Sequence, residues 1–458
     1  MSSASQMPAG ASVTAGRSST EKVRASLRRR HASERRFRVI GLCAILLGLS
    51  FVGILFASIL SKGLPAFWQA SITVPVTFDP AIVKIEPYPQ HQPGQSEASY
   101  DAEVLAWRTK LASLNWGRLI ENALLKELPP EAAKDRRGVL RLVTSGERFA
   151  LRDMVEKDPS LIGQTVPVSL LADANVDVWV KGNIDRSLPD AQLPLTPAQR
   201  GYIQILQDKG LLHQTFSWGL FTNVDSRSSP ASAGLAGAFV GSLYMMLIVI
   251  VLSVPIGVAA AVYLEEFAKK SRLTDLIEIN INNLAAVPSI VFGLLGAAVF
   301  INWLRLPLSA PLVGGLVLTL MTLPTIIIAT RSTLRAIPPS IRQAAIGLGA
   351  SRVQTVTHHV LPLAVPGVLT GAIIGVAQAL GETAPLLLIG MSAFVANIPA
   401  TPLDQSSALP VQIYLWQGNE LRNFFEARTS AAIIVLLSLM IMLNGLAIFL
   451  RRRFEKRW

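Results

Sequence analysis

The sequence predicts an all-α membrane protein of six transmembrane helices, with a mixed α/β extracytoplasmic insertion between the first two. Three observations carry this expectation. Of the 458 residues, 51% are hydrophobic and only 16% charged, which is too apolar for a soluble enzyme of this size. The apolar residues gather into uncharged runs, and a ~30 Å hydrocarbon core takes roughly 20 residues of helix to cross. The net charge of +12 sits at the ends: residues 1–38 hold nine Lys/Arg against two Glu, and the closing "RRRFEKRW" holds five against one. Basic ends abutting apolar runs follow the positive-inside pattern and argue against a nucleic-acid face.

Residues 1–38 form a basic cytoplasmic segment, and residues 39–62 the first span. Val39 to Ser61 carries no charge. A cleavable signal has an apolar core of about 7–15 residues, so this run is expected to be retained. The one cysteine, Cys43, lies inside it and excludes an intramolecular disulfide. Residues 63–230 are long enough to be a domain outside the membrane. "DAEVLAWRTKLASLNWGRLIENALL" reads as helix. "TPAQRGYIQILQDKG" reads as a helix capped by Thr196, and "NVDVWVKG" as a strand. The acids and bases of this region are scattered and form no catalytic constellation.

The transmembrane domain occupies residues 231–450. Its spans are expected around 235–263, at Ile279–Leu304, at Leu306–Thr330, from Leu363 to about Gly390, and at Thr429–Leu450. Each is expected to be helical, because a helix satisfies its own backbone in lipid. Residues 451–458 form a basic cytoplasmic tail. With both termini in the cytoplasm, the loops 264–278 and 331–362 are cytoplasmic too, and both carry Lys or Arg.

Loop 331–362 is the most organised of the polar segments. Pro338 and Pro339 suit a first helical turn, Ala344 and Ala345 its middle, and Gly349 a C-terminal cap. "SRVQTVTHHVL" resumes helix, and Leu361–Pro362 leads into the fifth span. So short a helix is marginal in water without a partner. The adjacent His358 and His359 point about 100° apart on a helix and have no Cys or carboxylate close in sequence, so they are read as structural or partner-facing rather than as metal ligands.

Inside the spans, Glu382 is the only carboxylate set deep in an apolar run. An intramembrane ionisable group is a functional candidate by default: Glu382, with Gln378 one turn before it and Thr383 after it, suits a gate on a translocation path or the partner of an arginine, and the structural alternative is a paired or a protonated, hydrogen-bonded acid. Arg331 sits where the fourth span meets the cytoplasm. It suits either an anion leaving such a path or a positive-inside anchor. Pro255, Pro288, Pro324, Pro366 and Pro385 lie in or at the ends of spans. Gly371 and Gly375 form a small-x3-small pattern suited to close helix packing. No Gly-Lys dipeptide occurs, hence no phosphate-binding P-loop. The chain is therefore not expected to bind ATP in the usual P-loop way, and no cofactor is expected on it; if ATP drives it, a separate subunit supplies that energy.

The loop resembles the cytoplasmic signature of ABC importer permeases, E-A-A-x3-G-x9-I-x-L-P. Gln343, Ala344, Ala345, Gly349, Leu361 and Pro362 fall at signature positions, with Gln343 replacing the Glu and His359 the Ile. "GETAPLL" (381–387), "YLEEFAKK" after the second span and the stretch before that span are similar to phosphate-importer permeases of the PstA type, over roughly residues 215–458. That resemblance implies the type I ABC importer permease fold, with helices two to six as its core. It also implies ATPase coupling through residues 338–350 and a location in a bacterial inner membrane. The implied partners are two copies of a PstB-like ATPase, a PstC-like second permease, a PstS-like phosphate-binding protein, phosphate and lipid. The family usually carries Arg where Gln378 stands. An importer of another oxyanion, such as molybdate or sulfate, stays open as an alternative. So does a six-span sensor or assembly protein working through residues 63–230.

Overall fold

A computed structural model describes residues 19–392, 395 and 397–454. The first 18 residues of the basic N-terminal segment and residues 455–458 of the basic tail lie outside the described residues. Among the described residues five helices are long and apolar enough to cross a membrane: Arg30–Phe67, Ala236–Phe267, Pro311–Ala336, Arg352–Gly381 and Arg422–Arg453. In the first, the side chains from Phe37 to Phe56 that are large and apolar are exposed, as a helix immersed in lipid would leave them.

The expected third span is not one helix. Arg272–Ala285 and Ser289–Trp303 meet at a bend of 102°, and only together do they count as a sixth span. Pro288 is the reason: it disfavours helical backbone at Val287 and offers no N–H to the preceding turn. The second piece has fifteen residues and reaches about 22 Å at 1.5 Å per residue, short of a full crossing. The expected fifth span is interrupted as well. Its helix ends at Gly381, Glu382 takes an extended conformation, and a short helix resumes over Ala384–Leu388. Pro385 fits the first turn of a new helix but cannot continue the old one. Glu382 thus sits at a helix break, one residue past the end of helix Leu361–Gly381.

Leu361 and Pro362 lie inside a continuous helical segment rather than at its start. The segment begins at Arg352, behind a capping box between Ser351 and Gln354, and widens into a π turn over Thr355–Val360. The wider turn comes just ahead of Pro362, whose ring would otherwise press on a preceding carbonyl.

The insertion is α/β. Strands β1 (Trp68–Thr77), β2 (Thr165–Leu171) and β3 (Leu212–Phe216) form an antiparallel sheet in the order β2-β1-β3. Ile72 and Val74 of β1 sit opposite Leu170 and Val168 and face a core with Trp107, Leu111, Ile120 and Leu124. The last two lie on helix Trp116–Glu127, whose buried residues recur at helical spacing. Pro75 is tolerated in the central strand because β3 pairs only with Trp68–Ile72, so no ladder bond is lost there. Thr196 caps helix Pro197–Asp208 with a full capping box, as expected. "NVDVWVKG" is not a strand: Ala174–Val180 is helix, capped by the Asp173 carboxylate on the Asn175 N–H at 2.9 Å. Asp177 and Lys181, one turn apart, pair at 2.6 Å and hold that turn closed. Asp177 also accepts from the Ala70 N–H, which fastens the helix to β1.

The sixth span begins earlier than expected, at Arg422, and so includes Arg428. That arginine is only 3% exposed. It donates to the carbonyls of Ala231 (2.8 Å) and Ala233 and to Gln69 Oε1 (2.9 Å), so it joins the sheet and the approach to the second span onto the sixth.

Candidate functional site

The loop end of the membrane unit is organised around two adjacent carboxylates. Helix Ala236–Val262 closes in a π turn, Tyr263–Phe267, which carries Glu265 and Glu266. They face different partners. Glu265 accepts from Arg335 at 3.0 Å and from Arg331 at 3.4 Å. Those two arginines stand one turn apart on helix Pro311–Ala336 and so share a face. Arg331 also pairs with Glu278 of helix Arg272–Ala285. Arg331 is buried, and each pairing offsets part of the cost of removing its charge from water.

Glu266, also buried, binds Arg342 in a fork, with Nη2 at 2.6 Å and Nε at 3.1 Å. Arg342 belongs to the short helix Pro339–Gly347. Its remaining donors cap the end of the preceding helix, at the carbonyls of Ile337 (2.8 Å) and Leu334 (2.9 Å). One side chain therefore fastens a nine-residue helix to two long ones. Ala345 is buried, and Ile341 packs on a cluster with Leu334, Ile337, Val360 and Ala364. The other face is open: Gln343 and Ala344 are exposed, as are Ile346 and Val353, and Leu348 is 90% exposed. Gly349 ends the helix with φ +90°, a conformation that favours glycine. The Ala350 N–H then reaches back to the Ala345 carbonyl at 3.1 Å, closing the cap.

The structure does not gather all the residues expected on a path. Gln378 is exposed on its helix and accepts from Thr325 Oγ1 at 3.5 Å. From that level Arg331 lies six residues toward the loop end, roughly 9 Å, and Glu382 four residues the other way, about 6 Å. Arg331 and Glu382 thus occupy different depths, with Thr383 beside the latter. Gly371 does pack closely: a Cβ there would stand 2.5 Å from the Ala329 Cβ, and one at Gly375 would stand 3.2 Å from Ile326. His358 rests its Nδ1 on the Gln354 carbonyl at 3.2 Å.

Residues 253–458, which include this whole network, match the family described as binding-protein-dependent transport system inner membrane component. Residues 24–190 match a separate domain of unknown function, DUF3333. A phosphate transport system permease protein PstA of Yersinia pestis is 30% identical over 232 residues, spanning 50% of this chain and 77% of that protein. The chain belongs to the PstA-type ABC transporter permeases. The chain is also similar to PstA of Mycobacterium leprae, 34% identical over 47% of this chain and 70% of that protein, and to the probable ABC transporter permease YqgI of Bacillus subtilis, 33% identical over 43% and 70%. As a PstA-type permease the chain is a multi-pass inner-membrane protein.

Within this PstA-type chain Arg331 is expected from the sequence, whereas its partners Glu265 and Glu278 and the strap made by Arg342 are not. A signal was present: Glu265 and Glu266 end an uncharged stretch running from Ser228 to Leu264. Two carboxylates at the end of a span, facing a loop rich in arginine, invite pairing.

Proposed function

We propose that this chain is the non-catalytic membrane subunit of an ATP-driven importer of inorganic phosphate, of the type I ABC class. Its bent helix pair counts as one of six spans, and both termini lie in the cytoplasm. A second, PstC-like permease completes the translocation path, two PstB-like ATPase subunits supply the energy, and a PstS-like protein delivers phosphate from outside. The observation that carries this reading is the helix Pro339–Gly347, with its apolar outer face open and its inner face strapped to two spans by Arg342. A force applied by a docked ATPase to that helix reaches Glu266 and the end of helix Pro311–Ala336 through a single guanidinium. Transport then follows as a two-state rocking of the spans, biased at the strapped helix. Phosphate as cargo is supported by the PstA relatives.

The test is co-purification in mild detergent with phosphate uptake by the reconstituted complex. The native chain is expected to bring down a P-loop ATPase and a second permease. Leu348→Glu, at an exposed position, is expected to leave the melting temperature unchanged and to lose the ATPase. Retention of the ATPase at native levels by that variant would count against docking on this face.

A further inference from the structure

The insertion carries an aromatic patch that its own fold does not cover. Five rings form a chain of contacts: Phe67 to Phe221 at 5.8 Å, Phe221 to Phe216 at 6.3 Å, and Phe216 to Trp68 at 6.0 Å and to Trp218 at 4.9 Å. Trp68, Phe216 and Phe221 are all exposed, and Trp218 is 69% exposed. None of these rings belongs to the insertion's core, which gathers around Ile72 and Val74 further along β1.

We infer that this patch is a membrane-contact surface: the insertion lies on the outer leaflet, with Trp218 and Phe221 set among lipid headgroups and upper acyl chains. Three observations favour lipid as the occupant. The patch is continuous with the spans, since β1 begins five residues after Gly63 ends the first long helix. Nearby, Lys62 pairs with Glu426 of the sixth span at 2.7 Å, which marks the level where both helices meet water. The two contributing stretches, residues 63–78 and 210–224, contain no Asp, Glu, Lys or Arg, so no charge is buried when the patch meets lipid. Finally, aromatic side chains with one polar edge favour the boundary between hydrocarbon and water. The insertion is then anchored at two places, by Arg428 within the protein and by these rings in the bilayer. It lies along the membrane instead of standing away from it.

The experiment uses the full chain in its complex, reconstituted into phosphatidylcholine–phosphatidylglycerol vesicles. A spin label is placed at Trp218→Cys or, as a water-exposed control, at Ser99→Cys, with the native Cys43 changed to Ala. At position 218 collisions with oxygen are expected to exceed those with a water-soluble nickel chelate several-fold, with the reverse at position 99. Nickel accessibility at 218 equal to that at 99 overturns the proposal. Shielding from both reagents also overturns it, in favour of a protein cover. A second measurement needs no label: fluorescence quenching by lipids brominated near the headgroup is compared between the native chain and Trp218→Phe. The native chain is expected to lose more intensity, and equal quenching in the two speaks against lipid contact.

Discussion

Arginines hold both ends of the membrane unit, but they do so with opposite chemistry. At the loop end Arg331, Arg335 and Arg342 meet the carboxylates of Glu265, Glu266 and Glu278. At the insertion end Arg428 donates to two backbone carbonyls and the Gln69 amide, all neutral. Carbonyl acceptors are fixed by the fold of the main chain, so Arg428 is a fixture. Carboxylates on flexible stems can be exchanged, and Arg331 already has two within reach. The difference teaches that, if the spans rock as proposed, one end has pairs that can re-form and the other keeps its register.

Removing Arg428 is expected to have the largest effect. Arg428→Leu removes three charge-assisted hydrogen bonds and strands the Ala233 carbonyl, while Gln69 Nε2 still donates to Ala231, at a cost on the order of 3–5 kcal/mol. Thermal unfolding in detergent should show the insertion opening to protease well below the native melting temperature. An unchanged melting curve would break the contrast between the two ends. Glu266→Gln comes next. It replaces a charge-assisted fork worth about 1.5–3 kcal/mol by a neutral contact, while Arg342 keeps its two carbonyls. Phosphate uptake is expected to fall roughly tenfold with the ATPase subunit still bound; a matching loss of ATPase binding would assign Glu266 to folding instead of coupling.

Glu147 sharpens the comparison from the insertion side. Burial pushes its carboxyl up from 4.5 to about 7, against a backbone hydrogen bond at Leu171 that lowers it. The folded chain therefore holds this proton more tightly than the unfolded chain does. Its stabilising contribution is complete below pH 4.5 and is lost as pH rises through about 7. Glu147→Gln should flatten that slope and gain about 2–3 kcal/mol at pH 8, measured by unfolding at both pH values. A slope that survives the substitution would place the titrating group elsewhere. The smallest effect is expected for Gly349→Ala. Its strained φ costs about 1 kcal/mol, read as faster hydrogen exchange over residues 339–350 with the insertion unaffected.

How much of this could be read beforehand follows from the range of the forces involved. Uncharged runs reveal spans because hydropathy is local, and the helix over residues 339–347 was legible from Pro339, Ala344 and Gly349. The breaks were harder. Pro288 and Pro385 lie in or at the ends of expected spans, yet hydropathy is blind to a 102° bend, since both sides of it are apolar. "NVDVWVKG" alternated like a strand, but an Asp cap and a pair one turn apart outweighed the alternation. The site itself was half visible. Its loop signature is contiguous, whereas the carboxylates that strap it come from Glu265, Glu266 and Glu278, and no local pattern couples them to Arg331 or Arg342.

The Arg428–Gln69 contact also sets an order of assembly. Its two ends are 359 positions apart, and ribosomes add about 5–20 residues per second. The sheet is complete once Phe216 is made, so it waits roughly 10–40 s for Arg428 of the last helix to clamp it. During that interval the insertion must hold its shape on the Ile72–Leu124 core alone. A chain halted before its final span would carry a folded outer domain on an unfastened tether, a species that quality-control proteases at the membrane surface could tell apart from the finished protein.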